Sequence, residues 1–265
     1  MDPGLEVPAR PVARAIEVPK LRGAQGEGLF RGAGRTEGPD GTVSRLRIQS
    51  ASTWRAANAL WNEIEARVCN DYGNRIPYSR YVEEFSHLKL PVFVQGDGPD
   101  LTPRDDIRIR DTAPIILRTG DGVELAERVW APRAANKKPI FNFRSEKRHF
   151  GNSVRCLIPA SHFFEFTAPA DPKQKRKDKW RFTLAGADWF CIAGIVRPDA
   201  IDGEACFTML TTEPEADVAP YHDRQIVVLR RKDWAAWLDL ARPEVELLRA
   251  LPTGSLKAQM GHEAP

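Results

Sequence analysis

Short runs of β-branched and aromatic residues, each closed off by Gly, Pro or charged residues, fill the chain between about residues 90 and 230. Pro91–Val94, Ala113–Leu117, Cys156–Pro159, Phe163–Phe166, Trp180–Leu184, Phe190–Val196, Cys206–Thr211 and Gln225–Leu229 all read as strands. From Cys69 onward, helices are read only at Ser79–Leu88 and in two C-terminal stretches, Trp234–Leu240 and Glu244–Leu251 after Pro243. Many strands with few intervening helices exclude a doubly wound sheet, so the expected fold class is α+β with a mainly antiparallel sheet. No internal repeat, Walker A motif or GxGxxG occurs.

The first 50 or so residues have a different texture. They are rich in Gly, Pro and Arg and show no sustained period, so they bury too little apolar surface to offset their ordering entropy. Disorder is the expectation there. Residues 52–67, with Ser52 as N-cap and Trp54, Ala57, Leu60, Trp61 and Ile64 on one face, fit a short amphipathic helix that needs a docking surface to persist. The 42% hydrophobic content of the whole chain, with seven Trp and twelve Phe, suffices for a packed core.

Four cysteines lack CxxC spacing and five histidines lack HxxxH spacing, so neither a metal nor any other cofactor is expected. Cys156, Cys191 and Cys206 lie in apolar runs and read as small core residues. No apolar run is long enough to cross a membrane, and the arginine-bearing N-terminus lacks a secretory apolar segment. A cytoplasmic location is the expectation. The net charge of +3 neither requires nor excludes a polyanionic partner, and the basic run from Lys173 to Lys179 reads as a solvated loop.

A few residues invite a chemical reading. Glu165 sits among Phe163, Phe164 and Phe166, where desolvation would raise its pKa toward neutrality, unless it faces solvent on an edge strand. His222, in Pro220-Tyr221-His222-Asp223-Arg224, is either an acid/base group or a structural residue on a loop. Asn142, Arg144 and Glu146 alternate, so an extended backbone places them on one face, suited to an anionic ligand or simply exposed.

In order along the chain these segments resemble one family. Cys69-Asn70 with Tyr72, Asn142-x-Arg144-x-Glu146, Arg155-Cys156-Leu157-Ile158-Pro159-Ala160 running into Phe164-Glu165, Ala193-Gly194-Ile195, Thr208-x-Leu210-Thr211-Thr212-Glu213, and Asp217-Val218-Ala219-Pro220-x-His222-Asp223-Arg224 are similar to the motifs of the SRAP family of abasic-site processing proteins. The resemblance implies a barrel-like SRAP domain over residues 68–255, acting as a monomer on abasic sites in single-stranded DNA. It further implies that Cys69, as the first residue of the mature chain, links covalently to the opened sugar. By the same resemblance Glu165 moves protons, His222 holds or protonates the sugar oxygen and Asn142 orients the cysteine. Arg144 would grip a flanking phosphate, and Trp130 would stack on a base or wedge a junction, with a buried core position as the equal alternative. Asp71 stands where many members carry a basic residue, which removes one expected phosphate contact.

An N-terminal cysteine suits this reaction because its amine and thiol can attack one aldehyde carbon in turn, giving a five-membered thiazolidine. The residues upstream of Cys69 then have to be absent from the acting protein. Val68 offers a route, since GUG encodes valine internally but methionine at a bacterial start; residues 1–67 are expected to reflect a misassigned start, with proteolytic removal as the other route. Two further readings share these residues: a thiol peptidase with Cys69 as nucleophile and His222 as base, and a non-covalent single-strand binding module.

Overall fold

The computed structural model describes residues 69–169, 171 and 173–261. The expectations for residues 1–67, the helix at 52–67 and the reading of Val68 lie outside the described residues. Two sheets make up the folded region, and both are built largely from antiparallel pairs.

The smaller sheet has the order β14-β9-β8-β1-β3, with β1 Asp71–Asn74, β3 Arg104–Arg108, β8 His162–Thr167, β9 Asp178–Leu184 and β14 Leu256–Met260. β14 pairs with β9 along its whole length, so the sheet continues five residues past the expected boundary at 255. The larger sheet runs β12-β11-β10-β7-β4-β5-β2, formed by β2 Val92–Phe93, β4 Thr112–Thr119, β5 Gly122–Trp130, β7 Val154–Ala160, β10 Phe190–Pro198, β11 Ala205–Thr212 and β12 Gln225–Ile226. β5 also pairs with β11, in parallel, which closes β11-β10-β7-β4-β5 into a barrel and removes two edges. β6 (Asn142–Arg144) lies parallel to β11, and β13 (Val228–Leu229) pairs with β10. The α+β, barrel-like class expected from the sequence is what the chain adopts, with additional strands β1, β3, β5 and β14 where the sequence carries charged or glycine-containing runs.

Alternation along the strands sorts side chains into two cores. In β7, Cys156, Ile158 and Ala160 face one apolar cluster with Tyr72, Phe163 and Phe182, whereas Leu157 faces a second. That second cluster lies under three helices, α1 Tyr78–His87, α2 Arg231–Asp239 and α3 Glu244–Leu247, through Tyr81, Phe85, Trp234, Trp237 and Leu247. β10 contributes Phe190 and Ile192 to one core and Cys191, Ala193 and Ile195 to the other, which explains its unbroken apolar sequence. Cys156, Cys191 and Cys206 are all buried. Among the described residues no helix is long and apolar enough to cross a membrane.

β1 is wedged against its neighbours at Gly73, which pairs with His162. The buried imidazole of His162 donates from Nε2 to the Asp105 carbonyl at 3.1 Å and accepts at Nδ1 from Arg181 at 3.2 Å. Burial, with Arg181 adding, pushes its pKa down to about 4, so the ring stays neutral and ties β3, β8 and β9 together. A Cβ at position 73 would meet His162 Cε1 at 2.2 Å and Nε2 at 2.3 Å. Gly73→Ala is therefore expected to destabilise the fold by about 3 kcal/mol, lowering Tm by roughly 10 °C. A thermal melt of the variant that overlays the parent would show that this contact yields easily.

Candidate active site

The register of β1 on β8 sets Tyr72 opposite Phe163 and Gly73 opposite His162. Followed back along an antiparallel pair, this brings the residues just before β1 alongside Glu165 and Phe166. Contact results: the backbone N–H of Cys69 donates to Glu165 Oε1 at 3.1 Å. Both residues are only 1% exposed. The Cys69 thiol donates to the Asp71 carbonyl at 3.4 Å, and Asn142, carried in on β6, reaches the Cys69 carbonyl oxygen with Nδ2 at 3.5 Å.

Burial fixes the protonation of this pair. Glu165 lies on β8, flanked by β1 and β9, so it is not on an edge strand and faces apolar surroundings. Desolvation raises its pKa to about 8 against the pull of the Cys69 N–H, and the charge of Asp223 adds to the rise. The Cys69 thiol is pushed well up by burial, with Glu165 next in effect, so it rests as a thiol rather than a thiolate. Glu165 is thus a neutral acid at pH 7 that can become a base with little cost.

His222 ends a tight turn in which its N–H and that of Tyr221 both donate to the Val218 carbonyl. The Tyr221 ring packs 4.8 Å from Trp180, the register partner of Glu165, and 5.2 Å from Phe182. Together with the influence of Asp223 on Glu165, this locates the turn beside the glutamate. His222 Nδ1 accepts from the Arg224 N–H at 3.0 Å, which leaves the proton of the neutral ring on Nε2. Asp223 Oδ1, 2.9 Å from the same Nδ1, is placed to pair with the ring once protonated.

Glu146, expected to share a ligand-facing surface with Asn142 and Arg144, is spent otherwise. It lies beyond the end of β6 and takes a two-pronged salt bridge from Arg224, Nη1 to Oε1 at 2.6 Å and Nη2 to Oε2 at 2.9 Å. Arg224 also donates to Thr211 Oγ1 at 3.1 Å, so this pair clamps the His222 turn to β6 and β11. The Arg144 guanidinium makes no hydrogen bond or salt bridge with any described residue, its charge acting only at longer range on Glu146.

Trp130 is placed differently from a base-stacking role. It is fully buried, donates Nε1–H to the Phe141 carbonyl at 3.1 Å and packs its ring against Tyr72 at 5.3 Å and Phe207 at 6.3 Å. Its position at the end of β5, where the barrel closes on β11, makes it a core plug. Asp71, which replaces a basic residue, binds Lys179 Nζ at 2.8 Å, and the same ammonium lies 3.7 Å from the Phe164 ring centroid and bonds Asp106. Residues 173–177 of the basic run are exposed, whereas Lys179 is drawn into this pair. No spacing in the sequence signals either the Glu146–Arg224 or the Asp71–Lys179 pair, since the partners are separated by 78 and 108 residues. Among the described residues, no three of His, Cys, Asp and Glu gather to hold a metal ion.

A family model described as SOS response associated peptidase (SRAP) matches residues 69–260. Among curated proteins, Abasic site processing protein YoqW of Bacillus subtilis (strain 168) is 31% identical over 113 residues, 40% of this chain and 49% of its own. Abasic site processing protein YobE of the same organism is 29% identical over 102 residues, 37% of this chain and 45% of its own. The chain thus spans about half the length of the curated relatives it matches. A solved structure from Bordetella bronchiseptica superposes with a TM-score of 0.56 at 23% identity, covering 73% of this chain and 100% of that one. Another, from Bacteroides thetaiotaomicron, gives 0.57 at 18% identity over 74% and 93%. At these identities the likeness speaks for the fold.

Proposed function

Because this chain belongs to the SOS response associated peptidase (SRAP) family, we propose that it processes abasic sites in single-stranded DNA by bonding covalently to them through Cys69, once residues before it are gone and its nitrogen is an α-amine. The observation that carries this reading is the contact between the Cys69 nitrogen and the buried, proton-bearing Glu165 at 3.1 Å. The names of the matched Bacillus proteins support the same substrate.

The chemistry follows from the protonation states. An α-amine has an ordinary pKa of about 7.7–8.0, so part of it is neutral at pH 7, and the buried Glu165 carboxyl beside it, whose protonated form desolvation favours, is placed to exchange a proton with it. The neutral amine attacks the aldehyde carbon of the ring-opened sugar, and neutral Glu165 gives its proton to the carbinolamine hydroxyl, which departs as water. The imine carbon is now electrophilic. The thiol, held protonated by burial, adds second: sulfur bonds to the carbon of the protonated imine, the C=N electron pair returns to the nitrogen, which keeps its one proton, and the thiol proton moves to the Glu165 carboxylate and restores the acid. Aldehyde and aminothiol have become thiazolidine and water, and no imine remains to promote strand cleavage. His222 Nε2–H is the donor for the sugar oxygen released on ring opening, Asn142 orients Cys69 through its carbonyl, and Arg144 offers an uncommitted guanidinium to a flanking phosphate.

A second reading has its own observation. In the full chain the nitrogen beside Glu165 belongs to the peptide bond between residues 68 and 69, where a carboxylic acid can protonate a departing amine after thiol attack on the preceding carbonyl. Self-removal of the upstream segment would then expose the aminothiol. Both readings are tested on denaturing gels. A chain beginning Met-Cys69 is expected to form a boiling-resistant complex with an abasic oligonucleotide and none with the intact one, and the full chain to do so only after losing its upstream residues. A full chain that crosslinks with Met1 still attached would overturn the α-amine requirement.

A further inference from the structure

The two groups that handle protons in the proposed reaction come from different sheets. Glu165 lies on β8 of the smaller sheet, whereas His222 lies in the connection between β11 and β12 of the larger one. Their separation is set by whatever fastens that connection to the smaller sheet. The connection is stiff in itself: the Glu215 carbonyl accepts from the Val218 and Ala219 N–H groups, and the Val218 carbonyl accepts from those of Tyr221 and His222. The Glu215 N–H donates to Oε1 of the buried Gln225 at 3.2 Å. At the far end Arg224 holds the connection to the larger sheet through Glu146 and Thr211.

Asp217, to which the mechanism gives no part, makes the tie to the smaller sheet. Its Oδ1 accepts from the Gly254 N–H at 2.8 Å and its Oδ2 from the Leu256 N–H at 2.9 Å. Gly254 has a φ of +84°, in the left-handed region, and the amides on either side of Ser255 converge on one carboxylate, as in a backbone concavity that takes an anion. This concavity is anchored in turn. The Ala185 N–H donates to the Ser255 carbonyl at 2.8 Å and Arg230 Nη2 to Ser255 Oγ at 2.8 Å. β14 then pairs with β9 from Leu256 opposite Leu184 to Met260 opposite Trp180, and Trp180 is the register partner of Glu165. A run of hydrogen bonds thus leads from Asp217 through β14 and β9 to the strand that carries the acid. The Tyr221 ring touches the same sheet at Trp180 and Phe182, but apolar contact is not directional, whereas two charge-assisted hydrogen bonds on one carboxylate fix position and angle.

We propose that Asp217 is a positioning residue for the reaction at Cys69: by fastening the His222 turn to the amides at the head of β14, it holds the imidazole at a fixed separation from Glu165. This rests on the abasic-site reading given above. Asp217 bonds to backbone amides of residues 254 and 256 and to no member of the site, so its effect passes through His222. The strand that runs past the expected boundary at 255 is thereby part of the device.

The test has two arms, and the first needs no DNA. Long-range proton–nitrogen correlation spectra of the full chain, at about pH 8.5, read which ring nitrogen of His222 carries the proton. The parent is expected to show the Nε2–H form alone, because Nδ1 accepts from the Arg224 N–H. Asp217→Ala should show both forms in exchange, and Asp217→Asn, which keeps one acceptor oxygen, a smaller share of the second. A lone Nε2–H form in Asp217→Ala would overturn the proposal. The second arm is the rate of adduct formation between an abasic single strand and the chain beginning Met-Cys69, well below each variant's Tm so that lost stability does not enter. Asp217→Ala should be slower by ~10- to ~10²-fold, the ordinary result of a ~1 Å misplacement, and Asp217→Asn should recover most of the rate. Added to His222→Gln, Asp217→Ala should cost nothing further. A parental rate in Asp217→Ala, or a loss that multiplies with that of His222→Gln, would also overturn the proposal. Should the parent form no adduct while Asp217→Ala still mixes the two ring forms, the covalent reading fails and the placement of His222 by Asp217 stands.

Discussion

A chain beginning Met-Cys69 in which Cys69 is replaced by Ala should give no denaturant-stable adduct with abasic DNA, whereas Cys156→Ala should give as much as the parent. The two thiols differ in what they can reach rather than in burial. Cys156 lies on β7 in the core cluster that holds Tyr72 and Phe163, its pKa raised by desolvation, and no carboxyl or imidazole among the described residues is bonded to it. Cys69 is equally buried, but its nitrogen touches Glu165 and its carbonyl is held by Asn142. Cys156→Ala should cost on the order of 1 kcal/mol in stability and leave chemistry intact. Equal adduct yields from the two variants, measured by gel under denaturing conditions, would sink the assignment of Cys69 as the reacting residue.

Glu165→Gln is expected to slow adduct formation by ~10²- to ~10⁴-fold, the ordinary worth of a positioned acid/base group. Gln keeps an oxygen for the Cys69 N–H but carries no transferable proton, so binding of intact DNA should be unaffected while the rate falls. The same substitution has a second readout. With a folded pKa raised from 4.5 to about 8, Glu165 holds its proton in the folded chain over a range where the unfolded chain has released it. Its contribution to stability is therefore fully present below about pH 4.5 and is lost as pH climbs toward 8. The full-length Gln variant should match the parent near pH 5 and exceed it near pH 9 by on the order of a few kcal/mol, read from thermal melts at both values. The full chain is the right subject, because a protonated α-amine in place of the peptide N–H would pull Glu165 back down. Parallel pH profiles for the two proteins would mean that the carboxyl is not a buried proton carrier.

Much of the fold was legible because its signals are local. The apolar runs that became β7, β8, β10 and β11 are bounded by turn residues and buried on one or both faces, so composition and period report them directly. β1 and β3 were not legible. Asp71-Tyr72-Gly73-Asn74 and Arg104-Asp105-Asp106-Ile107-Arg108 carry charge and a glycine and have little strand propensity, yet they pair because Tyr72 and Ile107 find the inner core and Gly73 admits His162. The burial of Glu165 was legible because three phenylalanines around one carboxylate already imply desolvation. Trp130 went the other way: whether a tryptophan faces a ligand or a core depends on which strands close over it.

The residue order by itself determined that the chain would be a strand-rich α+β protein with an acid buried among aromatics, because propensity, periodicity and local polarity are properties of neighbours in sequence. Only the tertiary structure decided which groups meet. The β1–β8 register delivers the Cys69 nitrogen to Glu165, the β5–β11 closure seals Trp130 inside, and the Arg224 clamp withdraws Glu146 from any ligand. These pairings join segments 77 to 96 residues apart, and their choice is made by packing and by the cost of unpaired buried charge, neither of which leaves a periodic mark on the sequence.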